Sequence, residues 1–357
     1  MDVKKKKLLF ILPTLNTGGA EKVTVNIINK LDKNIFDITL IVIDSRYKNL
    51  EAYINKDIPL KYLHISKTRN AFFEVFKQIK KIKPDVVYSS LNRTNILILI
   101  IKLIYPFFNV IIREPNMPSA QMKSNDISTF MMFFIKLLYP RATKIIAQSR
   151  YMKEEIETIF YIDSSEVVAM KNPLDVKSII ECLDGKVSPF IEYENSHNFV
   201  YIGRLSEQKN PLFLVEVFKR VVSKNNKFHL FIVGDGYLKE EINKKVIDYA
   251  LEDNIHLLGF QSNPYPYIKY ADGLLLCSKW EGMPNVVMEA LHLHTIVVTT
   301  DSTPVLKDLI IDGENGYIVD DFDVDRFSQY VLEYKSISNK FQDIESSDFD
   351  KLFLENS

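Results

Sequence analysis

Short apolar runs rich in β-branched residues alternate with helically spaced apolar positions along the whole chain, and that alternation limits the fold more than any other feature. Residues 8–12 form a continuous apolar run, after which Ala20, Val23, Ile27, Ile28 and Leu31 recur at helical spacing. Further strand-like runs fall at 38–43, 86–88, 110–112 and 144–147, then at 199–202, 230–233, 255–258, 274–277 and 296–299. Helical patterns such as 211–222 and 238–250 lie between them. Strands that are apolar throughout, separated by helices, indicate parallel sheets covered on both faces. The expected fold is therefore α/β, with two doubly wound Rossmann-like domains facing across a cleft.

Length and punctuation place the boundary. At roughly 150 residues per domain, 357 residues suggest two. Asn172-Pro173-Leu174-Asp175 interrupts the pattern, and the stretch 177–198 that follows is weakly patterned. The reading is a first domain at 1–171 and a second at 172–330. The C-terminal segment at 331–357 reads either as a helix packing back on the first domain or as a tail.

Charge separates the two halves. The chain as a whole carries −1, but residues 1–170 hold 26 Lys and Arg against 16 Asp and Glu, and the remainder holds 19 against 30. A basic half implies an anionic partner, while the near-neutral whole argues against nucleic acid. Two cysteines are too few for a disulfide framework. The basic lead-in Lys4 to Lys7 precedes only five apolar residues before Pro13, short of the ~7–15 that a signal-peptide core needs. The run 96–112 is broken by Lys102, Pro106 and Asn109 and reads as a core helix running into a strand. These features together predict a cytoplasmic chain.

In open α/β sheets ligands bind beyond the carboxyl ends of the strands, so chemistry is sought in the turns that follow them. The first turn places Gly18 and Gly19 ahead of a helix, where free amides suit a phosphate. A plain tight strand-to-helix turn accounts for it equally well. It is not G-x-G-x-x-G, and no suitably spaced acidic residue follows, which argues against a nicotinamide oxidoreductase. The turn after 199–202 reads Gly203-Arg204-Leu205-Ser206-Glu207-Gln208-Lys209, with Pro211 opening a helix. Its planar guanidinium and mobile ammonium suit a diphosphate, although a solvated basic loop has the same composition. The turn after 274–277 is the most informative. Gly282, Met283 and Pro284 lead into a helix starting near Asn285, with Glu281 before it and Glu289 about one turn inside. Carboxylates near a helix N-terminus bind hydroxyl-rich ligands through charge-assisted hydrogen bonds.

With these residues in view, the chain resembles the GT-B fold retaining glycosyltransferases of family 4. Glu281 to Glu289 matches E-x7-E, and Gly18-Gly19-Ala20-Glu21, Gly203-Arg204 with Lys209, Gly234-Asp235-Gly236, Gly259-Phe260 and Gly313-Glu314-Asn315-Gly316 occur in the same order. It looks most like bacterial enzymes of lipid-linked oligosaccharide, O-antigen or capsule assembly, which implies that the domain at 1–171 binds the acceptor and that at 172–330 the nucleotide sugar. The resemblance implies catalytic roles for Arg204, Lys209 and Glu281, the first two holding the donor diphosphate. It implies donor contacts from Gly18, Gly19, Gly203, Gly259, Phe260, Gly282, Met283, Pro284, Asn285 and Glu289. The implied reaction moves a hexose or N-acetylhexosamine from a UDP-sugar, with retention and without metal or other cofactor, to a polyprenyl-diphosphate-linked saccharide. The alternatives are a soluble or protein acceptor, or an inactive nucleotide-sugar-binding subunit.

Three segments depart from or add to that pattern. Many relatives carry a His on the acceptor side, where this chain reads Arg113-Glu114-Pro115-Asn116; Glu114 and Asn116 are expected to position acceptor hydroxyls. The D-x-D at 321–323 reads as a solvated linker and no metal site is expected. The apolar run 130–139 fits either a buried core helix or a face dipping into an anionic membrane surface, beside Lys136, Arg141 and Lys144. With the charge of the first half, the second reading predicts peripheral attachment to the inner face of the plasma membrane.

Overall fold

A computed structural model describes residues 4–16, 18–123, 128–334 and 348–357. The chain divides into two compact units, the first running to Pro173 and the second starting at Leu174, with the C-terminal helix returning to the first. Each is built around one parallel sheet.

The first unit contains β1 (Lys6–Leu12), α1 (Gly19–Lys30), β2 (Phe36–Val42), β3 (Leu60–Tyr62), α2 (Phe72–Ile82), β4 (Val86–Ser90) and α3 (Asn92–Ile104). It continues through β5 (Asn109–Arg113), α4 (Pro118–Lys123), α5 (Thr129–Leu138), β6 (Lys144–Ala147), α6 (Arg150–Phe160) and β7 (Val167–Ala169). Its strand order is β3-β2-β1-β4-β5-β6-β7, so the winding reverses between β1 and β4. Leu8 to Leu12 are buried on both sheet faces because helices cover both. Leu9 and Ile11 join the core lined by α2, α3, α5 and α6, whereas Leu8, Phe10 and Leu12 join the one lined by α1.

The second unit contains α7 (Val176–Leu183), β8 (His197–Ile202), α8 (Pro211–Lys224), β9 (Phe228–Val233), α9 (Lys239–Asp248), β10 (Ile255–Gly259) and α10 (Tyr265–Tyr270). It ends with β11 (Gly273–Leu276), α11 (Asn285–His292), β12 (Ile296–Thr300), α12 (Leu306–Leu309), β13 (Gly316–Val319) and α13 (Val324–Leu332). The order β10-β9-β8-β11-β12-β13 reverses between β8 and β11, the two strands whose turns carry Arg204, Lys209 and Glu281. The helix α7 occupies part of the weakly patterned stretch; Asp175 caps it by accepting from the Ser178 amide.

The C-terminal helix α14 (Phe349–Glu355) packs on the first unit. Phe353 is buried among Phe10, Phe36 and Tyr88, and Asp350 Oδ1 accepts from the Asp32 amide. Within the C-terminal segment marked out from sequence, Val331 and Tyr334 instead belong to the core of the second unit, and 335–347 lie outside the described residues.

Candidate active site

The turns after β8, β9 and β10 brace one another. Gly203 donates its amide to the Val233 carbonyl at 3.0 Å, Leu205 to the Asp235 carbonyl at 2.9 Å, and Gly234 to the Gly259 carbonyl at 2.9 Å. The approach is close enough to demand glycine. A Cβ on Gly234 would lie 1.9 Å from the Gly203 carbonyl oxygen, and one on Gly236 would lie 2.3 Å from that of Leu205. The Gly234-Asp235-Gly236 sequence is thus a backing for the Arg204 turn. Buried Tyr201 fixes the turn from below, its hydroxyl donating to the Arg204 carbonyl at 2.9 Å.

On this frame the two turns flanking the strand-order reversal are stitched together. Lys279 donates its amide to the Gln208 carbonyl at 2.8 Å, and Gln208 Nε2 donates to the Trp280 carbonyl at 3.1 Å. Lys209 Nζ donates to Glu281 Oε1, which also accepts from Ser278 Oγ at 2.6 Å. Glu281 is 6% exposed and Glu289, on the first turns of α11, is 5% exposed. Arg204 stays exposed, with Nη2 only 3.4 Å from Gln208 Oε1. One cation is therefore held against a buried carboxylate while the other remains available to a ligand. Met283 is buried, Pro284 caps α11 and Asn285 opens it, while Gly259 adopts φ +67° beside half-exposed Phe260.

Sequence reasoning missed three polar atoms here. Ser206 Oγ, Trp280 Nε1 and Ser302 Oγ are buried without a hydrogen-bond partner, all in turns at the carboxyl ends of β8, β11 and β12. Ser302 also holds Glu281 through its carbonyl, which accepts the Glu281 amide at 3.0 Å. Their residue types carry no motif, and only their burial marks them. Cys277 is not a nucleophile: burial holds its thiol protonated, and the thiol donates to the Lys209 and Asn210 carbonyls.

In the first unit, Gly18 caps α1 and Gly19 begins it. A Cβ on Gly18 would fall 2.2 Å from Glu21 Oε2. Glu21 folds back over the turn and accepts from Thr14 Oγ1 at 3.0 Å. Glu114 follows β5 and is 1% exposed. Gln121 Nε2 donates to its Oε1 at 2.9 Å and Tyr139 Oη donates to its Oε2 at 3.0 Å. Burial pushes its pKa up to about 7. Both carboxylate oxygens are thus taken up inside the fold, which leaves half-buried Asn116 as the more reachable of the two acceptor-side candidates.

The model of "Glycosyl transferases group 1" matches residues 188–347, and that of "Glycosyltransferase Family 4" matches residues 17–178. The chain belongs to the GT-B glycosyltransferases. An uncharacterized glycosyltransferase of Methanocaldococcus jannaschii is 29% identical over 75% of this chain and 68% of its own length. The N-acetylgalactosamine-N,N'-diacetylbacillosaminyl-diphospho-undecaprenol 4-alpha-N-acetylgalactosaminyltransferase of Campylobacter jejuni is 28% identical over 88% of this chain and 86% of its own. Among solved structures, Anabaena HepE in complex with UDP and glucose matches in fold with a TM-score of 0.75 at 16% identity, covering 94% of this chain and 92% of that one.

In this glycosyltransferase, α5 is neither wholly core nor wholly surface. Ile135 and Leu138 are buried, whereas Phe130 and Phe133 are 72% and 61% exposed and Leu137 is 54% exposed. Among the described residues no helix is long and apolar enough to cross a membrane. The D-x-D segment supplies the cap of α13, Asp323 accepting from the Arg326 amide.

Proposed function

We propose that this glycosyltransferase moves a hexose or N-acetylhexosamine from a UDP-sugar to a polyprenyl-diphosphate-linked saccharide, with retention of configuration. The observation that carries the reading is the Lys209–Glu281 contact beside exposed Arg204, at the strand-order reversal of the second sheet. Arg204 and Lys209 offset the charge that develops on the departing diphosphate. Glu281 passes from an ion-pair partner to a hydrogen-bond acceptor for sugar hydroxyls, with the backbone from Gly282 to Asn285 beside it. Glu289 takes the ribose hydroxyls, and Gly259 with Phe260 meets the base. The unpartnered atoms of Ser206, Trp280 and Ser302 are consistent with a polar ligand in this place.

Retention follows from front-face attack. The bond from the anomeric carbon to the phosphate oxygen breaks, and the acceptor hydroxyl oxygen bonds to the same face. Its proton passes to the departing diphosphate. No protein nucleophile is needed, so Pro115 in place of a His leaves the chemistry intact. The two cations supply the charge that a metal provides elsewhere, and we propose donor use without one.

Support for the acceptor class comes from the Campylobacter relative, whose substrate is named as an undecaprenyl diphosphate, and for the nucleotide from HepE, whose crystals hold UDP. The exposed aromatic face of α5, in the unit with the basic excess, fits peripheral attachment to the inner face of the plasma membrane. Incubation with a panel of UDP-sugars and a short-chain polyprenyl-diphosphate GlcNAc or GalNAc tests the reading. Proton NMR of the product is expected to show an α-linked sugar from an α-linked donor. A β-linked product overturns retention, and transfer only from a GDP- or ADP-sugar overturns the donor.

A further inference from the structure

Arg113, the last residue of β5, is 2% exposed and is the bulkiest of the fully buried side chains. Its Nη2 donates to Asn172 Oδ1 at 2.5 Å, but its Nη1 has no partner. Among the described residues it has no ion pair. Glu114, next in the chain, spends both oxygens on Gln121 and Tyr139. Burial presses the pKa of the guanidinium down even though Glu114 acts on Arg113 through its charge, without a hydrogen bond to it. A guanidinium taken out of water without a paired counter-charge is among the costliest groups a fold can carry.

The neighbours of Arg113 repeat the deficit. Ser90 lies directly across from it in the register between β4 and β5, and Tyr88, two residues earlier, shares that sheet face. Tyr88 Oη stands near the hydroxyls of Thr24 and Ser90 without reaching hydrogen-bond geometry, and it feels the Arg113 charge. Tyr88 Oη and Ser90 Oγ are both buried and unpartnered. Arg113 Nη1 and two hydroxyls, all able to donate, thus lie in one buried place with no hydrogen bond completed among them. A water molecule can accept two hydrogen bonds but cancels no charge. An anionic oxygen does both.

The cluster also lies where a ligand reaches such a sheet, at the carboxyl ends of β4 and β5 beside the reversal between β1 and β4. We propose that Arg113, with Ser90 and Tyr88, forms an anion site that takes an oxygen of a phosphate or diphosphate group. The site belongs wholly to the first unit, so it stands apart from the donor reading of the second.

Thermal unfolding of the full chain carrying Arg204→Ala, in a buffer free of phosphate and sulfate, reads this site without the exposed cation of the second unit. Sodium pyrophosphate is expected to raise Tm saturably, and the rise is expected to fall by more than half on adding Ser90→Ala and to vanish on adding Arg113→Met. Should Arg113→Met not fold, Ser90→Ala carries the test, since it removes a single buried hydroxyl. A Ser90-dependent response to pyrophosphate alone assigns a free anion, and one to geranyl diphosphate alone assigns a lipid diphosphate; either supports the site. No rise in the parent, or an equal rise with and without Ser90→Ala, overturns it. In the otherwise native chain, a UDP response that depends on Arg204 would stand through that failure.

Discussion

Lys209 Nζ donates to Glu281 Oε1 and so ties the turn after β8 to the turn after β11, the two strands between which the second sheet reverses its winding. Both side chains are largely buried, at 19% and 8% exposure. A carboxylate in that setting is held by its partners, Lys209 and Ser278, and by the backbone bond to Ser302.

Removing one partner should therefore act twice. Lys209→Ala is expected to lower turnover by about 10²–10³, the usual loss for a preorganised charge donor at a transition state. It should also cost about 3 kcal/mol of stability, because Glu281 is left buried and unpaired. Arg204→Ala, at an exposed site, is expected to lose turnover alike and to keep its stability. Steady-state kinetics with denaturant unfolding separate the two, and near-native turnover in both variants contradicts the proposed role of Arg204 and Lys209 at the diphosphate.

The glycines that back the Arg204 turn differ in what they tolerate. Gly234→Ala places a methyl against the Gly203 carbonyl at φ +146°, where only backbone movement relieves the clash. A loss of at least ~2 kcal/mol is expected from overpacking and strain together. Gly259→Ala, at φ +67° with nothing within 4 Å, is expected to cost about 1 kcal/mol from conformation alone. Urea unfolding of the two variants checks the order, and equal losses contradict it.

Much of this fold was legible in the sequence. Residues 8–12 read as a buried strand because both faces are covered, and 96–112 as a helix entering a strand, which became α3 and β5. Strands β3, β7 and β13 escaped detection. Each lies at a sheet edge, spans only three or four residues and is partly exposed, so its composition carries neither alternation nor an apolar run. Arg204, Lys209, Glu281 and Glu289 were singled out because strand-end turns concentrate chemistry, and of these the structure brings Lys209 against Glu281. The enclosure of Glu114 and the unpartnered Nη1 of Arg113 arise only when distant segments meet, and no local spacing encodes that.

Glu114 makes stability depend on pH. Its folded-state pKa is raised to about 7 from the ordinary 4.5, chiefly by burial. The folded state thus keeps a proton that the unfolded chain releases, and stability is lost as pH rises from about 4.5 to about 7, then levels off. The loss amounts to ~3 kcal/mol at full effect. Glu114→Gln should flatten that part of the profile. Denaturant unfolding at pH 5, 6, 7 and 8 checks it, and parallel profiles for the two proteins would count against the assignment.

The exposed face of α5 gives a binding prediction. Phe130→Ser with Phe133→Ser is expected to reduce sedimentation with anionic liposomes at low salt by at least tenfold, since each ring contributes ~1.5–3 kcal/mol when buried. Neutral liposomes should retain little of either protein. A chain that pellets equally with and without the two rings does not use this face.

We propose that the Arg204, Lys209 and Glu281 turns hold a uridine diphosphate sugar through protein charge alone. Calorimetric titration with UDP in the presence of EDTA tests it most directly. Native protein is expected to bind UDP in preference to GDP and ADP, with Kd raised at least tenfold in Arg204→Ala and unaltered by added Mg²⁺. Binding that requires Mg²⁺, or that is as tight in Arg204→Ala as in the native chain, contradicts the account.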